Sequence, residues 1–150
     1  MSTVSASVHI AAPPPAVWAV VMDPHRLADW VTIHRKLRYA DDGKARVGYR
    51  MEQQLHLRGV NIDVHWELVS CVPCSRAVWE GRGPARSHAR TEYVLSADGE
   101  SATSFAYHNE FRAPLGPIGA LASRALVGGM PEREAEHTLQ QLKALLEPHV

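Results

Sequence analysis

The sequence predicts an α+β fold: a curved antiparallel sheet of six or seven strands wrapped around a long C-terminal helix, with two short helices after the first strand. Three observations predict it. From Leu115 to Leu146 apolar residues recur at helical spacing; Ala135, Leu139, Leu142 and Leu146 lie four, three and four residues apart, and Leu115, Ile118, Leu121, Ala122, Ala125 and Leu126 carry the stripe upstream. Ahead of that stretch, segments of apolar/polar alternation follow one another with short turns between them, which implies antiparallel pairing. Finally, a proline stop and an Asp-Pro pair set the first alternating segment apart from the others. A helix with a single apolar stripe must bury it, and the sheet is the partner this chain offers.

The elements follow in order. Thr3 to Ala12 alternates Val4, Ala6, Val8 and Ile10 with Ser5, Ser7 and His9, a half-buried strand. Pro13-Pro14-Pro15 ends it and suits a helix start, where the missing N–H would be unpaired anyway. Ala16 to Met22 reads as a short helix, and Asp23-Pro24 caps and starts a second, His25 to Trp30. Ile33 to Ala40 is a weak strand closed by Asp41-Asp42-Gly43. Val47, Tyr49, Met51, Gln53, Leu55 and Leu57 form the inward set of the next strand, and Val60, Ile62, Val64, Trp66 and Leu68 that of its partner beyond Arg58-Gly59. Val72-Pro73 breaks that strand. Ser75 to Gly81, then Thr91 to Leu95, then Thr103 to Phe111 complete the row. Gly128-Gly129-Met130-Pro131 interrupts the final helix, and Pro131 can restart its second half.

Composition narrows the function classes. The chain has 150 residues, 45% hydrophobic and 21% charged, which suits one domain over residues 1–150 with one core. Lys plus Arg and Asp plus Glu number 16 each, so no net charge draws it to phosphate backbones, and nucleic acid is not an expected partner. No run approaches the roughly 18 apolar residues of a membrane span. Met1 to Ser7 lacks a basic region and an apolar core, so no signal peptide is expected and the cytoplasm is the expected compartment. Cys71 and Cys74 are too few for a disulfide framework. Their C-x-x-C spacing falls in a strand-to-strand turn, without the helix N-terminus that lowers a redox thiol's pKa.

Ile10 to Trp18, with its run of three prolines, then Asp23-Pro24-His25-Arg26-Leu27-Ala28-Asp29-Trp30, and Arg112-Ala113-Pro114-Leu115-Gly116-Pro117 before the last helix, give the chain a recognisable look. It resembles the helix-grip superfamily of START and Bet v 1-like proteins, most closely the polyketide cyclase/dehydrase and lipid-transport branch. The resemblance implies a deep cavity between sheet and last helix, edged by loops that here would be Gly81 to Arg86 and Ala113 to Gly119. It also implies a hydrophobic small-molecule ligand. Aromatase/cyclases of this group carry a pocket arginine on the strand before a Val-Pro turn; the matching Leu68 to Pro73 has none.

Inward parity nominates the residues that would meet a ligand. They are Tyr49, Gln53, Trp66, Tyr93, Tyr107, Asn109 and Phe111 on strands, with Thr91 beside them, and Leu121 on the helix. Gln53 and Asn109 interrupt apolar rows, so each must fix a ligand or pair internally. Arg35 shares parity with Ile33, Leu37 and Tyr39; it either meets an acidic ligand group or is a solvated strand-end residue. Most histidines, such as His56, His65 and His108, fall on polar parity and should face water. With no tight ligand set, no metal or cofactor is expected. The expected function is a carrier or sensor for a polyketide, fatty acyl chain or other lipid, as monomer or homodimer. The alternatives are a polyketide cyclase/dehydratase, in which Tyr49, Tyr107, Gln53 or Asn109 would polarise a carbonyl, and a co-chaperone-type protein-binding module.

Overall fold

The computed structural model describes residues 2–112 and 131–147. The expected first half of the long helix, the Gly128-Gly129 interruption, the Ala113 to Gly119 rim and Leu121 lie outside the described residues.

The chain runs β1 (Ser2–Ile10), α1 (Pro14–Val21), a 3-10 turn (Pro24–Arg26), α2 (Leu27–Trp30), then β2 (His34–Ala40), β3 (Arg50–Leu57), β4 (Val60–Val72), β5 (Arg76–Arg82), β6 (His88–Ala97) and β7 (Thr103–Arg112), and closes with α3 (Glu132–Leu146). The strands form one antiparallel seven-stranded sheet in the order β1-β7-β6-β5-β4-β3-β2. β2 to β7 are thus neighbours in sequence and in space, and β1 returns beside β7.

Local chemistry sets the boundaries. Pro14 and Pro15 occupy the first turn of α1, and Pro13 stays extended ahead of them. The Asp23 carboxylate accepts from the His25 N–H at 3.0 Å, closing the cap in front of Pro24. Pro131, with extended ψ, opens α3. Ala135, Thr138, Leu139 and Leu142 are the buried face of that helix, on the expected stripe. It packs on β1 and α2. At its far end Lys143 Nζ donates to the His9 carbonyl at 2.7 Å, and Glu147 accepts from the Ala11 N–H at 2.9 Å.

Two stretches depart from the parity reading. Val47 does not begin β3. Residues 46 to 49 form a turn closed by Tyr49 N–H to Arg46 O at 2.8 Å, with Gly48 at φ 92°. That positive φ lifts Val47 to the corner, 62% exposed. β2 is not a simple alternating strand either. Its pairing with β3 shifts between His34 and Lys36 and again between Leu37 and Tyr39. Each irregularity changes which side chains face in. Arg35 is consequently exposed, and His34 turns to the core side instead.

Candidate functional site

Inward residues on neighbouring strands line up in rows across the sheet. One row runs Met51, Trp66, Gly81, Ala89, Phe111 from β3 to β7. The next runs Leu68, Trp79, Thr91, Asn109, Val4, and a third Ala77, Tyr93, Tyr107, Ala6. In the first row two small residues stand between large aromatics. The Trp66 indole fills the space over Gly81, where an added Cβ would lie 2.7 Å from its ring. Ala89 leaves the floor low. The result is a cavity of about 90 Å³, bounded by the sheet, by Leu27, Trp30, Val31 and Ile33 at α2, and by Thr138 of α3. One ordered water needs roughly 10–15 Å³ on such a scale.

Of the nominated residues, Gln53, Trp66, Tyr93, Tyr107, Asn109 and Phe111 all line this cavity, as does Thr91. Tyr49 is equally buried but does not line it; its ring stands edge-on to Trp79 at 6.1 Å. Tyr49 keeps the β3 register, its carbonyl accepting from the Leu68 N–H at 2.9 Å, and its ring packs in the core beyond the end of the cavity. The residues that sequence reasoning missed are Trp30, Ala89, Thr138 and His34. Leu27 and Trp30 share a helical face, which was the available signal for Trp30. Nothing in strand parity points to Thr138.

The polar groups are organised in pairs. Trp66 Nε1 donates to Gln53 Oε1 at 2.9 Å, and Gln53 Nε2 meets His34 Nδ1 at 2.8 Å. An indole N–H only donates, so it fixes the amide: Oε1 toward Trp66, Nε2 toward His34. His34 Nδ1 therefore accepts, and the neutral ring keeps its proton on Nε2. Burial lowers the His34 pKa, which favours the same neutral form. Across the sheet, the Thr91 hydroxyl donates to Asn109 Oδ1 at 3.3 Å. On the helix side, Thr138 Oγ1 accepts from the Thr32 N–H at 3.1 Å and meets the Thr32 hydroxyl at 2.9 Å, while that hydroxyl donates to Glu134 at 2.7 Å. Burial pushes the Tyr93 and Tyr107 hydroxyls far above the ordinary tyrosine range, so both stay protonated. The Trp30 ring packs edge-on against Tyr93 at 5.9 Å and Phe105 at 6.3 Å.

Outside the cavity, the solvent face carries paired charges such as Arg38–Asp63 at 3.0 Å and Arg50–Glu67 at 3.5 Å. A wide groove of about 850 Å³ at the sheet rim is lined by charges of both signs, Arg50, Glu52, Glu67, Glu80, Arg82 and Arg90 among them. Among the described residues, no group of three or more His, Cys, Asp or Glu side chains could hold a metal ion, and no helix is long and apolar enough to cross a membrane. Cys71 lies within β4 and Cys74 in the turn after it, both half-buried thiols. Burial raises the Cys71 pKa, the opposite of what a redox thiol needs.

Residues 1–147 match the family described as polyketide cyclase/dehydrase and lipid transport. The chain belongs to that family. Among curated relatives, it is 27% identical over 127 residues to Toxin Rv0910 of Mycobacterium tuberculosis strain H37Rv, covering 84% of this chain and 88% of that one. Among solved structures, the Zhui aromatase/cyclase from Streptomyces sp. R1128 superposes with a TM-score of 0.78 at 17% identity, covering 96% of this chain and 92% of that one. A START superfamily protein from Mycobacterium smegmatis gives 0.73 at 14% identity, with 97% of each chain covered. At such identities these two structures show a shared fold. The family membership and the cavity together support a ligand-binding or cyclase role.

Proposed function

We propose that this family member binds a hydrophobic small molecule in the cavity between the sheet and the C-terminal helix, as a cytoplasmic carrier or sensor. The observation that carries the reading is the cavity itself. Aromatic and aliphatic side chains dominate its walls, and the polar groups that Gln53 and Thr138 bring to it are already engaged with neighbours. The cyclase alternative loses Tyr49, which stands off the cavity, and Gln53, whose amide is held by Trp66 and His34. Tyr107 and Asn109 remain as groups able to polarise a ligand carbonyl.

Native mass spectrometry of the protein purified from its own host tests the reading directly. The expected result is a co-purifying species of defined mass in the wild type and its loss in Ala89→Phe. Ala89 is only partly buried and sits at the low point of the floor, so a phenyl ring there fills the cavity without displacing a core side chain. Retention of the same ligand by a folded Ala89→Phe variant would place the binding site elsewhere.

A further inference from the structure

Trp30 is 1% exposed and forms part of the cavity wall, and among the described residues its Nε1–H is the buried side-chain polar atom with no hydrogen-bond partner. A native structure rarely leaves such a donor without an acceptor. Among the described residues, aromatic side chains pack against it: Tyr93 and Phe105 present rings to it. The cavity's other polar groups can donate as well. Asn109 Oδ1 accepts from Thr91, and its NH2 is a donor. Tyr93 and Tyr107 each carry a hydroxyl proton. No Arg, Lys or His is among the described lining residues, so nothing there would offset the desolvation of an anion.

We infer that Trp30 is a specificity-determining residue whose indole N–H hydrogen-bonds a neutral acceptor oxygen of the ligand, so that the cavity selects ketone-, quinone- or ester-type ligands over carboxylates. This rests on the cavity being the ligand site. It narrows the ligand class: a carboxylate carried inside the cavity would be desolvated without a cation, because Arg50, Arg82 and Arg90 line the adjoining rim groove instead.

Three probes of matched size and shape test the inference: acetophenone, cumene and benzoate. Cumene replaces the carbonyl of acetophenone by a methine bearing a methyl group, and benzoate replaces the acetyl group by a carboxylate. Titrations of the full chain at pH 7.5 are followed by calorimetry and by 1H–15N spectra of the indole N–H groups, with the Trp30 signal assigned in the wild type by through-space contacts to the Tyr93 and Phe105 rings. Acetophenone should shift the Trp30 indole proton downfield as it saturates, and cumene should not. Trp30→Phe should weaken acetophenone about tenfold, equivalent to about 1.4 kcal/mol, and leave cumene within about twofold. Benzoate should show no binding at concentrations where acetophenone saturates. An unmoved Trp30 indole signal under saturating acetophenone would overturn the inference without any variant, which guards against a Trp30→Phe protein that fails to fold. Benzoate binding as tightly as acetophenone would overturn it too. Binding of acetophenone and cumene with no role for Trp30 would leave the ligand site standing and remove only the donor wall. Failure of all three probes to bind would remove the ligand site as well.

Discussion

Gly81→Ala is a substitution for which general chain physics and this structure predict opposite signs. Gly81 lies near the end of β5, outside the positive-φ region. Replacing such a glycine by alanine ordinarily stabilises a protein by about 0.4–1 kcal/mol, because the unfolded chain loses freedom. Here the new methyl would lie 2.7 and 2.8 Å from the Trp66 ring and 2.8 Å from Val64 Cγ1. None of these atoms is the end of a flexible chain. The indole is 9% exposed and held through Nε1 to Gln53 at 2.9 Å, so moving it strains packing and strips that bond. Overpacking of this kind costs about 1–3 kcal/mol, and loss of the hydrogen bond adds roughly 0.5–1.5 kcal/mol. Net of the chain-entropy gain, the expected destabilisation is about 0.5–4 kcal/mol. Urea unfolding followed by near-ultraviolet circular dichroism reads it as a lower midpoint with an unchanged slope. The same substitution in a Trp66→Leu background should cost at least about 1 kcal/mol less, since the two sites are in contact. A Gly81→Ala protein as stable as wild type, or an equal cost in both backgrounds, would refute the view that Gly81 exists to seat the Trp66 indole.

Two further predictions follow from neighbouring contacts. Protonating His34 requires a proton on Nδ1, where Gln53 already donates, and burial lowers its pKa below the ordinary 6.5. The unfolded chain therefore binds a proton at this site before the folded one does. Stability should fall as pH drops below about 6.5 until the folded-state pKa is passed, and level off beyond it. His34→Gln should flatten that part of the profile in urea midpoints measured between pH 7 and pH 5; an unchanged slope would count against the relay. Leu142 is fully buried on α3, so Leu142→Ala should cost about 2–5 kcal/mol by thermal or urea unfolding. A cost under about 0.5 kcal/mol would mean the helix stripe is not what fastens α3 to the sheet.

The antiparallel run of strands, the two short helices and the buried stripe of α3 were legible in the sequence because each rests on a local signal that the backbone enforces, whereas the place of β1 beside β7 was not. Alternation placed Gln53, Trp66, Tyr93, Tyr107, Asn109 and Phe111 on the cavity side, and all six line it. Parity failed where the backbone left its period. The Gly48 turn took Val47 off the β3 row, while Tyr49 stayed inward and packed beyond the cavity, and two irregularities in β2 exposed Arg35 and brought in His34. No count of alternating residues can locate a β-bulge, because its signature lies in the pairing of two strands. Parity was also silent about partners. It marked Gln53 and Asn109 as residues needing a bond, and only the register of β3 with β4 and of β6 with β7 shows that each finds one across the strand, from Trp66 and Thr91.

That pairing decides between binding and catalysis more than the identity of the residues does. A general acid or base must hold or release a proton near neutral pH at an atom facing the ligand. The Tyr93 and Tyr107 hydroxyls keep their protons through that range because burial disfavours the phenolate. Gln53, Asn109 and Thr138 do not titrate there. His34 is an imidazole whose pKa burial lowers, its Nδ1 is engaged by Gln53, and it is not among the described residues lining the cavity. What the described wall can offer is fixed donors in an apolar setting. Such a wall can orient an acceptor-bearing molecule and polarise it, yet it has no partner to take up a proton. Among the described lining residues the frame meets what a carrier requires, and a cyclase would need a base that these residues do not supply.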